Sequence, residues 1–344
     1  MRLTITILFA AGLLCAAAPW PLDFERIDAH VHAFQPAPAY YRLLDELHLR
    51  VINICVLDKH DPGFETVAPQ LAMARRVFDE SRHKAAWCAT FDPGDWESPG
   101  FADAAIRSLD ESFRQGAVAV KIYKSVGMEL KSRSGKYLMP DDPAFAPIWR
   151  FMAQRNRTLY AHLAEPTAAW RPLDPASPHY GYYKNNPDWH MFRHPERPSK
   201  ETILAARDHV LSANPGLRVV GCHLGSMEDD VDAIAQRLDR YPNFAVDTAA
   251  RVKDLKAQPR DKVRAFLIRY QDRVLYGTDL ALPAKGDANN AIDSMRSVYA
   301  LDWKYFATAE WIEARGGRVH GLALPPAVLR KLFRQNALRW VPER

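Results

Sequence analysis

Cysteine is scarce in this chain, with 4 among 344 residues, and no two stand in a CxxC pair. Cys55, Cys88 and Cys222 each sit alone inside an apolar run, the setting of a small core residue and not of a disulfide framework or a thiolate metal site. Cys222 directly precedes His223, so alternation along a strand would turn it to the opposite side, away from any ligand set. Blocks of like charge are missing as well. The net charge of +5 is the small excess of 46 basic over 41 acidic residues, spread along the chain, which excludes the footprint of a nucleic-acid binder. There is no internal repeat and no low-complexity segment, and beyond the first residues no apolar stretch is long enough to span a bilayer.

The exception is the start. Arg2 precedes an uncharged apolar run from Leu3 to Leu14, and Cys15-Ala16-Ala17-Ala18 follows with small side chains suited to signal-peptidase cleavage. Pro19 disfavours a cut after Ala18, so residues 1–17 are expected to be a signal peptide and 18–344 a single exported domain, periplasmic or secreted. Leu14 is too bulky for the residue that usually precedes a lipoprotein cysteine.

Short apolar runs alternate with longer amphipathic ones along the rest of the chain. Strands are expected at Arg26–His32, Arg50–Leu57, Ala85–Phe91, Ala117–Tyr123, Thr158–Leu163, Arg218–Leu224, Phe244–Thr248 and Arg273–Asp279. Helical spacing fills Ala68–Arg82, Ser199–Ser212 and Asp229–Arg240, the last stopped by Pro242, and Tyr305–Trp340 should supply the closing helix and one more. Eight strand–helix repeats with no linker to split them are the pattern of a (β/α)8 TIM barrel.

Such a barrel carries its active site at the C-terminal ends of the strands. His30 and His32 share a face at the end of strand one, His162 ends strand five, His223 strand six and Asp279 strand eight. Lys121 ends strand four on the inward face, between Ala119 and Tyr123. Gly221 and Gly277, two residues before His223 and Asp279, are expected on that same face, leaving room for a polar cluster above. The long segment from Pro166 to Lys200, rich in proline and aromatics, would arch over the site as a lid or serve as an interface loop, with Trp170 a candidate pocket residue.

The ordered set Ile27-Asp28-x-His30-x-His32, Ala161-His162, Cys222-His223-Leu224-Gly225 and Tyr276-Gly277-Thr278-Asp279 resembles the amidohydrolase superfamily. Within it the closest likeness is to the amidohydrolase 2 branch, which includes relatives of aminocarboxymuconate-semialdehyde decarboxylase. The resemblance implies one divalent metal ion, zinc foremost, on His30, His32, His162 and Asp279. It further implies a water deprotonated near neutrality, with Asp279 as base and His223 orienting the water or polarising the substrate. Lys121 would meet an anionic substrate group as a plain ammonium, or bridge a second metal if carbamylated. Tyr123, Trp170 and Arg251 are the further substrate-binding candidates.

The expected activity is metal-dependent hydrolysis of a small molecule at a C–N, C–O or lactone bond. The alternative is non-oxidative decarboxylation on the same scaffold. A non-catalytic barrel is disfavoured because every expected site position is filled. The expected partner is a small-molecule substrate, with no nucleic acid and no membrane span after signal cleavage, and a homo-oligomer is compatible with the lid segment.

Overall fold

The computed structural model describes residues 23–61, 64–284 and 288–342, so the expected signal peptide lies outside the described residues. Eight barrel strands follow one another as β1 (Arg26–Ala33), β2 (Leu49–Ile54), β3 (Ala85–Thr90), β4 (Ala117–Ile122), β5 (Thr158–Ala161), β6 (Arg218–Gly221), β7 (Phe244–Asp247) and β8 (Val274–Leu275). A ninth short strand, β9 (Leu280–Leu282), pairs with β1, while β8 pairs with β7. All neighbours in this sheet are parallel, and β1 to β8 lie in sequence order, the pattern of successive right-handed βα crossovers, with β9 beside β1.

The eighth strand is therefore not the unbroken run Arg273–Asp279 that the sequence suggested. It is two pieces, β8 and β9, joined by Tyr276–Asp279. Across this interruption the barrel still closes, because the Ala29 amide donates to the Tyr276 carbonyl (2.8 Å) and the Asp279 amide to the His30 carbonyl (2.7 Å). Two local features accompany the break. A Cβ on Gly277 would lie 2.9 Å from the His30 Cβ, closer than real Cβ contacts come, and Asp279 sits at φ 65°, where few side-chain-bearing residues go.

Irregularities in two other strands decide which side chains face inward. Between Asp28 and Val31, β1 carries one more residue than β2 opposite it, a β-bulge. Ile27 and Ala29 belong to the barrel interior, yet beyond the bulge Val31 and Ala33 pack outward, so His30 and His32 take the inward positions. β4 carries a similar extra residue against β3 between Ala117 and Ala119, after which Ala119 and Lys121 face in, and Val120 and Ile122 face out.

The barrel interior is a small apolar plug of Ile27, Ala29, Ile54, Cys88, Ala119, Val220 and Leu275, sealed below by Ala337, Trp340 and Val341 from the chain's end. The Thr158 hydroxyl donates to the Trp340 carbonyl, and the Trp340 indole N–H to the Asp272 carbonyl (2.8 Å). A larger apolar layer lies between the strands and the surrounding helices. The helices at Val67–Glu80, Lys200–Ala213 and Val231–Arg240 lie within two residues of the expected bounds, and the Ser199 hydroxyl caps the second by accepting from the Thr202 amide (3.2 Å). The expectation for Tyr305–Trp340 is corrected: the closing helix is Ala288–Ala307, burying Ile292, Met295, Tyr299 and Tyr305. A hairpin, Trp311–Ala314 with Gly317–His320, then precedes the terminal helical turns from Pro326 to Trp340.

Candidate metal centre

The bulge in β1 and the break after β8 bring three side chains to one point at the barrel mouth. The Nε2 of His32 lies 3.0 Å from Asp279 Oδ1, and the Nε2 of His30 lies 3.4 Å from the same oxygen. His30 is fully buried, and the Asp279 side chain is 28% exposed, enough to meet an incoming substrate.

What each ring nitrogen does beyond this point fixes the chemistry. His30 Nδ1 donates to Asp247 Oδ2 (2.7 Å), His32 Nδ1 to the Ile54 carbonyl (2.8 Å) and His223 Nδ1 to the Ala249 carbonyl (2.9 Å). Carbonyl and carboxylate oxygens only accept, so the proton of each neutral ring sits on Nδ1 and each Nε2 lone pair faces the site, that of His30 with Lys121 Nζ 3.4 Å away. Two lone pairs and a carboxylate oxygen then face one another at about hydrogen-bond distance, an arrangement that calls for a cation among them. His162 adds a second sign, since its Nε2 is buried without a hydrogen bond. Two imidazole nitrogens with a carboxylate oxygen and room for more ligands suit zinc, so the residues present fit a divalent metal.

Burial and the neighbouring cations push the His162 and His223 imidazoles well below their ordinary pKa, and His30 is lowered by burial and by Lys121. All three are therefore neutral at physiological pH, as ligands must be.

His162 does not join the tight trio. Its ring packs against that of His223 at 4.3 Å, and its Nε2 is 4.0 Å from Glu165 Oε1. His223 is carried on a turn rather than on a strand end, at φ 59°, ψ 47°. Two expectations are overturned here. Cys222 does not point away from the site: its Sγ lies in the barrel interior 3.2 Å from Lys121 Nζ, grouped with His30 and Asp247. Gly221 does not lie on the inward face either, since a Cβ there would strike Phe244 at 2.7 Å and the Gly225 backbone at 2.9 Å. The reason is common to both: alternation along β6 places Val220 and Cys222 inward and Gly221 outward, and it is the left-handed backbone at His223 that brings that side chain to the site.

The trio opens into a cavity of about 470 Å3, whose wall includes His162, His223, Lys121, Tyr123 and Arg251. Lys121 is buried, with its Nζ between His30 Nε2 (3.4 Å) and Cys222 Sγ. The Tyr123 hydroxyl donates to Asp58 Oδ2 (2.8 Å). Arg251 is buried and donates from one terminal nitrogen to the Ala250 carbonyl, while its Nε has no partner. Among the described residues neither Lys121 nor Arg251 has a carboxylate ion-pair partner, whereas Lys124 is paired with Glu165 and covered by Trp189, its Nζ 4.2 Å from the ring centre.

Trp170 does not line this cavity, and its indole N–H donates to the Pro198 carbonyl (3.4 Å) within the same 166–200 segment. The 166–200 segment folds into short helical turns, Thr167–Trp170, Tyr180–Asn185, Pro187–Trp189 and Met191–Arg193, and contributes His179 and Tyr182 to the cavity wall. Two polar residues lie behind the site, Asp28, named in the sequence only within a motif, and Asp247, which the sequence reading missed. Asp28 accepts from the Thr278 hydroxyl (2.6 Å) and the Tyr299 hydroxyl (2.9 Å). Asp247 holds His30. The signal for Asp247 was present, since it is the last residue of β7, the same strand-end position as the other site residues.

The profile of the amidohydrolase family matches residues 27–342, so the chain belongs to that family. No curated protein was found that matches the sequence. An uncharacterised TIM-barrel protein from Bordetella bronchiseptica superposes with a TM-score of 0.50 at 14% identity, over 93% of this chain and 99% of that one. 4-Oxalomesaconate hydratase from Rhodopseudomonas palustris gives 0.50 at 13% identity, over 92% and 96%. A 2,6-dihydroxybenzoate decarboxylase from Rhizobium gives 0.46 at 16%, over 91% and 98%. At such identities the first two likenesses speak to the fold alone.

Proposed function

We propose that this member of the amidohydrolase family holds one divalent ion, zinc by its donor set, on His30, His32 and Asp279 beside His162, and hydrolyses a small anionic substrate at a C–N, C–O or lactone bond. The observation that carries the reading is the convergence of His30 Nε2, His32 Nε2 and Asp279 Oδ1 with both Nδ1 protons already spent elsewhere. A divalent ion bound there would supply Lewis acidity and a water of lowered pKa.

The chain's own groups do the rest. Among the described residues Asp279 Oδ2 makes no hydrogen bond, which leaves it to take a proton from water and return it to the leaving group. His223, with Nδ1 committed to Ala249, offers Nε2 as an acceptor that orients the water. Arg251 and Lys121, two buried cations without carboxylate partners, support an anionic group on the substrate.

Those same two cations favour a second reading, in which the anion they hold is a carboxylate lost as carbon dioxide. The zinc-loaded protein should be offered amides, lactones, esters and carboxylic acids of a size to fit the cavity, with hydrolytic products and carbon dioxide followed together. A hydrolytic product that disappears with Asp279→Asn supports hydrolysis. Carbon dioxide release without incorporation of water replaces it with decarboxylation. The basic-then-apolar start at residues 1–17 supports an exported enzyme, tested by fractionating cells that express the full chain.

A further inference from the structure

Asp247 ends β7 with its side chain fully buried, and both of its oxygens are in use. Oδ2 accepts from His30 Nδ1 at 2.7 Å, and Oδ1 accepts from the backbone amides of His223 (2.7 Å) and Ala249 (3.2 Å). One carboxylate thus touches a candidate metal ligand on β1 and the left-handed turn that carries His223 after β6. We propose that Asp247 is a positioning residue that fixes the His30 tautomer and the His223 turn together, readying two sides of the metal centre at once. This rests on the reading of His30 as a metal ligand.

The carboxylate is needed in its charged, acceptor-only form on both sides. An asparagine in its place has one accepting oxygen and one donating nitrogen. Turned so that its oxygen keeps the two backbone amides, it presents NH2 to His30 Nδ1. The ring must then accept there and carry its proton on Nε2, the atom that faces Asp279 and His32. Turned the other way, it keeps His30 and sets its donor against the amides of His223 and Ala249, so the turn must shift. Neither orientation preserves both. Removing such an outer carboxylate behind a metal-bound histidine costs roughly 10- to 100-fold in metal affinity.

A rival arrangement lies close by, because His30, Cys222 and Asp247 also present ligand atoms within 4.8 Å of one another, so Asp247 could itself bind metal with the thiolate. The experiment separates the two. Zinc affinity is measured by chelator competition for wild type, Asp247→Asn and Cys222→Ser, and nitrogen-15 NMR of the imidazoles reads the His30 tautomer in the metal-free wild type. Cobalt substitution reports thiolate ligation through its charge-transfer band.

The expected results are a proton on His30 Nδ1 in the wild type, zinc binding about 10- to 100-fold weaker in Asp247→Asn, near-normal binding in Cys222→Ser and no thiolate band. The proposal is overturned by an Nε2–H tautomer in the wild type, by Asp247→Asn binding zinc as tightly as wild type, or by a thiolate–cobalt band. Should Asp247→Asn not fold, the wild-type tautomer and the cobalt spectrum still decide. A wild type that binds no zinc would overturn the metal reading itself, a failure seen before any variant is compared.

Discussion

His30, His32 and Asp279 meet because small details of each residue permit it, and those details can be changed one at a time. Gly277 leaves no room for a Cβ beside His30, at 2.9 Å. Gly277→Ala should therefore push the imidazole out of register, costing about 1–3 kcal/mol of stability as overpacking and weakening zinc binding with it. Urea unfolding and chelator competition measure the two effects, and an unchanged zinc affinity would show that His30 has more freedom than the packing implies. Lys121 tests a different point. Lys121→Met should leave one equivalent of zinc in place while weakening an anionic substrate or product by about thirtyfold, the equivalent of one lost charge-assisted hydrogen bond of about 2 kcal/mol. A wild type with two equivalents of zinc, one of them lost in Lys121→Met, would instead make this lysine a bridge between metals. The histidines and Asp279 were legible in the sequence because each falls within or closes a strand-like run of a barrel. Asp247 falls within such a run too, but an aspartate beside a threonine gives no spacing signal of its own.

Among the elements, the strands that carry the site are the irregular ones. Period-two alternation alone puts His30 and His32 on a common face, but it puts Ile27 and Ala29 on the opposite one. The structure has all four facing inward, and only the extra residue in β1 reconciles them. Bulges, left-handed turns and the split of the last strand leave almost no trace in hydrophobic pattern, which is why β2 and β6 end three residues before their expected bounds and the eighth strand is broken where one run was expected. The closing helix was misplaced for a related reason: its first turn is Ala288-Asn-Asn-Ala291, which reads as a loop.

That helix carries a test of its own. Asp302 is buried on it, accepts from the Tyr276 hydroxyl (3.0 Å), and is pushed up to about 6 by burial, against Lys256 and Tyr276, which lower it. A carboxyl whose folded value lies above its unfolded one makes the folded state hold the extra proton between the two. The resulting loss of stability begins near the unfolded value of 3.8, grows as pH rises and is complete once pH passes about 6. Asp302→Asn keeps an acceptor for Tyr276 and removes the charge, so it should raise stability at pH 7.5 by as much as about 2–3 kcal/mol while changing little at pH 4. Equal gains at both pH values would point to packing rather than to charge.

The whole molecule is a barrel stoppered at its lower end by its own terminus and opened at the upper end by bulges and turns. The stopper is apolar, with Trp340 4% exposed beneath the interior plug. Trp340→Ala should cost about 3–5 kcal/mol in urea unfolding, as large-to-small changes in a core do, yet leave the metal stoichiometry of the folded fraction unchanged. Barrel class and the location of the site at its mouth were legible from eight strand-like runs ending in polar residues. The terminal stopper was not, since its contacts join residues at opposite ends of the chain.

The central claim is that the upper end holds one metal ion on His30, His32 and Asp279. The most direct measurement is the zinc content of purified, dialysed protein, wild type against the double substitution His30→Ala with His32→Ala, with circular dichroism to confirm that both are folded. About one equivalent in the wild type and none in the folded double variant is the predicted result. A double variant that keeps one equivalent at wild-type affinity, or a wild type that keeps none, would contradict it.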